Sequence, residues 1–367
     1  KGFGVPWLTG KPGWHGKALS KQQFAKATQW IPDQPLMERP TMKAPAHHEF
    51  STHHAAPYEF PPLAEVPISA REAVGQTLAL AASANPNLFA FDGEVGNSTY
   101  LNNVLNIRPH QFVEGYIAEQ LLSGMALGFA ALGKLPVLGT FGAFWTRAHD
   151  QIRLAGFAGY HQVYIGTHSG IAVGADGPSQ MALEDLALFR STFNATVLAP
   201  ADDVAAAALT IKALKHSGLV YLRVPRAPLP RLYTDQTSFA IGGSHTLCST
   251  KRDIVTIIAH GTAVHEAMKA AKMLAPRRIR VIDAYSIQPL DTQTIRRAAE
   301  ETGRVVVVED HGVAGGLGEA VATILPVATE FLHLAVTRVP HSGTPEKLLA
   351  WAGIDAASIV KHIRRML

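Results

Sequence analysis

The stretch Phe112–Gln120, FVEGYIAEQ, puts a carboxylate, Glu119, where a short strand turns into a long apolar helix, AEQLLSGMALGFAALG. Acids are favoured in a first helical turn because they oppose the helix dipole, so Glu119 alone asks for no special chemistry. Its context does. LPVLGTF reads as a strand, and FGAFWTRAHDQIR brings Phe141 and Phe144 to its end. A carboxylate beside an aromatic pair suits a flat heteroaromatic ligand. It can hold a ring nitrogen protonated, and so change the ring's tautomer, without touching a substrate. Other polar side chains stand where apolar runs end: Asp92 after LFAF, His168 after VYIGT and Arg226 after VYLRVP. The chain has no Ser nucleophile elbow, Walker loop, HExxH or CxxC pair. The pairs His47/His48 and His53/His54 lack a spaced partner that would complete a metal site, so no metal ligands are expected here.

The elements that must position these residues alternate regularly. From Ser69, a plausible N-cap, SAREAVGQTLALAASANP reads as an amphipathic helix. Strands and helices then alternate as far as LVYLRVPR. Alternation of this kind predicts an open, mostly parallel sheet covered on both faces, with ligands at the carboxyl ends of its strands. Residues 227–250 lack pattern and read as a crossover. A smaller unit then repeats the alternation through DIVTIIAHG, RIRVIDAYSI, GRVVVVEDHG and LHLAVTRVP, ending in two helices. Its glycine cluster, GVAGGLGEA, misses the GxGxxG spacing and reads as turn and N-cap chemistry. The expected fold class is therefore α/β, with two consecutive doubly wound, mostly parallel-sheet domains at 67–235 and 236–367. Before them, residues 1–30 read as a loop and a short helix, QQFAKATQW. The Pro-rich stretch 31–66 reads as an extended linker.

Composition narrows the class of function. The 367 residues are 47% hydrophobic and 17% charged, and they suffice for two full cores. The net charge of +4 is dispersed, with no Lys/Arg block to suggest a nucleic-acid surface. A mild positive balance is compatible with an anionic small substrate. One cysteine, Cys248, allows no intrachain disulfide and points to a reducing compartment, the cytoplasm. No apolar run approaches a membrane span, and no signal peptide opens the chain. The start, KGFGVPWLTG, looks like the middle of something longer.

The chain resembles the transketolase family, in its pyrimidine-binding and C-terminal domains. The matching stretches are KGFGV, GWHGKALS, FDGEVGNST, YIAEQ, TFGAFWTRAHDQIR, THSGIAVGADGPSQMALEDLALFR, VIDAYSIQPLD, VEDHGVAGGLGEA and VTRVPHSGTPEKLL. They run from end to end apart from the 31–66 linker. WHGK with GADGPSQMALEDLALFR is highly specific, whereas YIAEQ is shared in spirit with other thiamine enzymes.

The resemblance implies transfer of a two-carbon ketol unit between sugar phosphates by thiamine diphosphate. Glu119 matches the glutamate that bonds the pyrimidine nitrogen. Phe141 and Phe144 match its aromatic pocket. His15, His168 and Gln180 align with residues around the sugar hydroxyls and carbonyl, and Gln180 also falls beside the cofactor. Asp176 aligns with the acid that recognises a donor hydroxyl. Arg71, Ser98 and Arg226 align with the phosphate clamp, for which guanidinium forks are well shaped. The family pattern also implies a homodimer with sites at the subunit interface.

Three features depart from that pattern. Phe3 stands where a lysine is usual, and VPRAP around Arg226 differs from the common form. The diphosphate-binding domain, with its Gly-Asp-Gly…Asn motif for Mg²⁺ (or Ca²⁺), is missing; FDGE at 91–94 is not that motif. Residues 1–30 look like that domain's tail. The missing half belongs to the same chain or to a separate one, and without it this chain is expected to be inactive. Two alternatives are a thiamine synthase making 1-deoxyxylulose 5-phosphate, opposed by WHGK and GPSQMALED, and a non-catalytic transketolase-like subunit, opposed by Glu119, His168 and Asp176.

Overall fold

A computed structural model describes residues 4–9, 18–31, 57–276 and 278–367. The chain forms two compact units, Lys1–His53 and His54–Leu367, and the division falls inside the stretch read as a linker. In the first unit a helix, Lys21–Thr28, is opened by a reciprocal capping box between Ser20 and Gln23. Its Ala27 packs with Val5 and Leu8.

Among the described residues of the second unit, twelve strands make two sheets. They are β1 (Leu88–Asp92), β2 (Phe112–Glu114), β3 (Leu135–Phe141), β4 (Gln162–Thr167), β5 (Ala195–Leu198), β6 (Leu219–Arg223), β7 (His245–Cys248), β8 (Val255–Ala259), β9 (Ile279–Asp283), β10 (Ser286–Gln288), β11 (Arg304–Gly312) and β12 (Glu330–Val336). The first sheet runs β10-β5-β6-β4-β3-β1-β2 and the second β12-β11-β8-β9-β7. Every pairing is parallel except β10 with β5 and β7 with β9. This is the mostly parallel α/β architecture expected.

Two elements differ from the sequence reading. RIRVIDAYSI is not one strand: it breaks at Ala284–Tyr285, and β10 crosses to the edge of the first sheet. The pattern-poor stretch 227–250 contains the edge strand β7.

Strand alternation assigns the layers. Phe91 and Leu138 point to one face of the first sheet, where Leu122 and Ala126 of the helix Glu119–Ala131 pack with Trp145. Ala90 and Val137 point to the other, against the helices Ala70–Ala84 and Asp203–Lys215. A fully buried side chain such as Leu138 contributes about 1.5–3 kcal/mol by burial. The first core continues to Ile258 and Val307 of the second sheet, so the two sheets share packing. Asp92, Phe141, His168 and Arg226 fall on the carboxyl side, at or just beyond the ends of β1, β3, β4 and β6. Among the described residues, no helix is long and apolar enough to cross a membrane.

Candidate functional site

The helix Glu119–Ala131 starts at the carboxyl edge of β2, with Ala118 as an N-cap that offers no side-chain bond. Glu119 turns inward and is only 3% exposed. Its Oε1 accepts from Nη1 of Arg147 at 2.6 Å. Arg147 was not singled out in the sequence, yet it completes the group. The segment Gly142–Ala148 is a 3-10 turn, and three residues per turn put Phe141, Phe144 and Arg147 on one side. The Arg147 guanidinium lies over the Phe144 ring, 4.3 Å from its centroid. Phe144 stacks on Phe141 at 5.3 Å, and Phe141 stacks on His168 at 3.8 Å. Four planar groups thus form a column from the Glu119 carboxylate to the end of β4.

His168 sits just past β4 with φ +57° and is buried. Its Nδ1 is 3.0 Å from the Thr167 hydroxyl. Burial pushes its imidazole down to about 3, and the charges of Arg71 and Arg226 push the same way. At neutral pH the ring is therefore uncharged and can both donate and accept.

The two arginines belong to one cluster. Arg71, at the start of its helix, donates from Nε to the carbonyl of Arg226 (3.0 Å) and from Nη1 to the carbonyl of Ser98 (2.9 Å). Ser98 thus meets Arg71 through its backbone. That carbonyl is presented by the turn after β1, which Asp92 orders by accepting from the Val95 amide and the Thr99 hydroxyl, both at 2.7 Å. Burial raises Asp92 to about 6, so this strand-end acid is accounted for by its turn. Arg226 donates to the carbonyl of Val173 (2.8 Å) and pairs with Asp176 at 3.4 Å, both side chains about a third exposed. Gln180 follows on the same loop, and its buried Oε1 has no partner among the described residues.

Arg71, Ser98, His168, Asp176 and Arg226 are therefore brought together, next to the column that leads to Glu119. His15 lies outside the described residues, as do the linker histidines. The glycine cluster reads as capping chemistry in the structure as well: the amides of Leu317 and Gly318 donate to the Glu309 carboxylate at 2.7 and 2.8 Å. A polar cleft of about 600 Å³, lined by Ser249, Thr250, Lys251, Asp253, Arg280 and Glu301, lies apart from these strand ends. Its Arg280 is already held by Asp253 and Glu301, at 3.2 and 2.7 Å, so the convergent polar groups at β1, β3, β4 and β6 are the better candidate.

A buried carboxylate with one oxygen on a guanidinium and aromatic faces beside it fits the protonated nitrogen of a heteroaromatic ring. No group of three or more His, Cys, Asp or Glu among the described residues could hold a metal ion. The donor set around Glu119 fits the aminopyrimidine end of thiamine diphosphate.

Comparison with known proteins gives a consistent picture. Residues 66–231 match the family model "Transketolase, pyrimidine binding domain", and residues 245–359 match "Transketolase, C-terminal domain". Transketolase of Homo sapiens is 37% identical across 100% of this chain and 60% of its own length. Transketolase-like protein 1 of Bos taurus is 36% identical across 100% of this chain and 63% of its own. The chain thus spans about 60% of the curated relatives it matches. A solved chain described as "Split gene transketolase, inactive beta4 tetramer" superposes with a TM-score of 0.73 at 33% identity, covering 82% of this chain and 98% of that one. Transketolase from Campylobacter jejuni gives the same score at 20% identity, a likeness of fold.

Proposed function

The chain belongs to the transketolase family, and on that premise we propose that it forms the pyrimidine-binding and sugar-phosphate half of an enzyme moving a two-carbon ketol unit reversibly from a ketose phosphate to an aldose phosphate. The observation that carries this reading is the buried Glu119 carboxylate, joined through Arg147, Phe144 and Phe141 to His168 and the two-arginine cluster.

Thiamine diphosphate, when bound, supplies an acidic thiazolium carbon that can attack a carbonyl. Glu119 would hold a proton at the pyrimidine nitrogen of the bound cofactor and so tune the proton chemistry of that ring. Phe141 and Phe144 exclude water from the ring and fix its tilt. Gln180 offers an amide to the same region. Neutral His168, with His15, orients the sugar carbonyl and hydroxyls by hydrogen bonds. Asp176 accepts from a donor hydroxyl. Arg71 and Arg226, with Ser98, hold the substrate phosphate, and binding there helps place the carbonyl over the reacting carbon.

The diphosphate and its Mg²⁺ (or Ca²⁺) take their ligands from the other half of the enzyme, on the same or a separate chain. The resemblance to a split-gene transketolase described as inactive supports the view that this half alone does not turn over. In the working enzyme two copies meet and the site lies at their interface, in the cytoplasm.

Titration of thiamine diphosphate in Mg²⁺ tests the division of labour. This chain alone should bind weakly, because charge-assisted contacts to the diphosphate dominate such an anchor. Adding the diphosphate-binding half should restore micromolar affinity. Micromolar binding by this chain alone would sink the reading.

A further inference from the structure

Between β4 and the helix Asp185–Ser191 runs the loop 170–184, which carries Asp176, Gln180 and the Val173 carbonyl that holds Arg226. Both ends of this loop are tied to one short stretch of the second sheet. The Asp310 carboxylate, on β11 and 2% exposed, accepts from the amide of Ile171 with Oδ1 (2.7 Å) and from that of Ala172 with Oδ2 (3.2 Å). The backbone passes so close at Gly170, φ +75°, that a Cβ there would lie 2.2 Å from the Asp310 carboxyl carbon. At the far end, the Gly312 amide donates to the Leu183 carbonyl at 2.9 Å. Arg223 closes the circuit: its Nη2 donates to the carbonyls of Ala182 (3.0 Å) and Asp310 (2.9 Å), and its Nε to Asp185 (2.9 Å).

We propose that Asp310 is a positioning residue: the carboxyl end of β11 clamps the loop 170–184 and so sets the pose of the donor sugar at Asp176 and Arg226. The inference rests on the functional reading above and extends it, giving the C-terminal domain a direct part in donor recognition. The carboxylate suits the task. It takes two successive amides with two oxygens, and each bond is charge-assisted and shielded from water. An asparagine is isosteric but keeps one acceptor only, and its NH₂ opposes the second amide donor to donor. The loop then loses one anchor and spans more conformations, while β4 and β6 remain paired.

Two measurements on Asp310→Asn test this. Amide hydrogen exchange on the chain itself should speed up about tenfold or more within 170–184, with β3, β4 and β6 keeping their protection. In the complete enzyme, KM for a ketose phosphate should rise about tenfold with kcat changed less than about threefold. The kcat/KM ratio of ketose phosphate to hydroxypyruvate, which lacks both the phosphate and the hydroxyl facing Asp176, should fall about tenfold. Loss of protection throughout the chain, or an equal fall with both donors, would show that Asp310 merely joins two domains and overturn the proposal. Unchanged exchange and an unchanged ratio would overturn it as well. Ala172→Pro provides a second route that leaves β11 untouched: it deletes the Ala172 amide donor and, through the restriction a proline places on the residue before it, also disturbs that of Ile171. It should shift the same ratio in the same direction, and no shift would count against the clamp. If the wild-type enzyme turns over neither donor, the functional reading fails, while the exchange result still judges the clamp.

Discussion

Replacing Arg71 with alanine separates a phosphate clamp from a structural arginine. Arg71 uses two of its five N–H groups on the Arg226 and Ser98 carbonyls and lies 5.3 Å from the centroid of the Tyr100 ring. Three donors remain for a ligand, and a phosphate oxygen pair would take a fork of two. Hydrogen bonds to a charged group contribute about 1.5–3 kcal/mol, which is roughly 10- to 150-fold in kcat/KM. Because the guanidinium is half-buried, solvent screening places the expected loss near the lower end, about tenfold. The two carbonyls also lose their donors, at about 1 kcal/mol each, which lowers the melting temperature but affects every substrate alike. The assay is kcat/KM in the complete enzyme with a ketose phosphate and with unphosphorylated hydroxypyruvate. The first should fall about tenfold or more and the second little. Arg71→Lys should be intermediate, since one point charge cannot reach both carbonyls and a phosphate. If both donors fall equally, or neither falls, the clamp assignment is wrong, and that of Arg226 should be doubted with it.

Two further expectations concern assembly and stability. Tyr116, Ile117 and Leu121 are exposed around the start of the helix Glu119–Ala131, and Gly124 and Gly128 leave its outer side open, so sedimentation should show a dimer at micromolar concentration that Leu121→Asp weakens. A monomeric wild-type chain would contradict this. Burial raises Asp283 from 3.8 to about 8, against the Tyr233 hydroxyl that donates to it at 2.5 Å. Between those two values the folded state holds a proton that the unfolded state has released, so this group makes stability fall as pH rises, by up to about 1.4 kcal/mol per pH unit. Asp283→Asn should flatten the loss of melting temperature between about pH 5 and 8, and parallel curves would refute the assignment. Buried His168 and His311 tilt the curve the other way, so the difference between the two proteins is the readout.

The parallel sheets were legible because their strands are continuous apolar runs bounded by helices, as in LPVLGTF and GRVVVVEDHG. The break in RIRVIDAYSI was not, because apolar residues continue through it. The break is set by tertiary partners: the Ala284 amide goes to Ala259, at the end of β8, while the Tyr285 carbonyl accepts from Ala199, just past β5 of the other sheet. His168 and Arg226 stood out in the sequence by their place past the ends of apolar runs and Glu119 by its place at a helix start, whereas Arg71, inside a helix, entered only through the family resemblance. Arg147 was missed, although Phe141, Phe144 and Arg147 recur every three residues, the period of the 3-10 turn they occupy. Asp310 was beyond reach of any local pattern, since it acts on amides 138 and 139 residues away.

The central claim is that Glu119 exchanges a proton relation with the cofactor ring and does not simply open a helix. Exchange of the thiazolium carbon proton for deuterium, followed on bound cofactor in the complete enzyme, reads that relation directly. Glu119→Gln retains a hydrogen-bonding side chain at the same place, so cofactor affinity should change little while exchange slows by about two orders of magnitude or more. An exchange rate equal to that of the wild type would show that Glu119 is only a helix-start acid and would contradict the account.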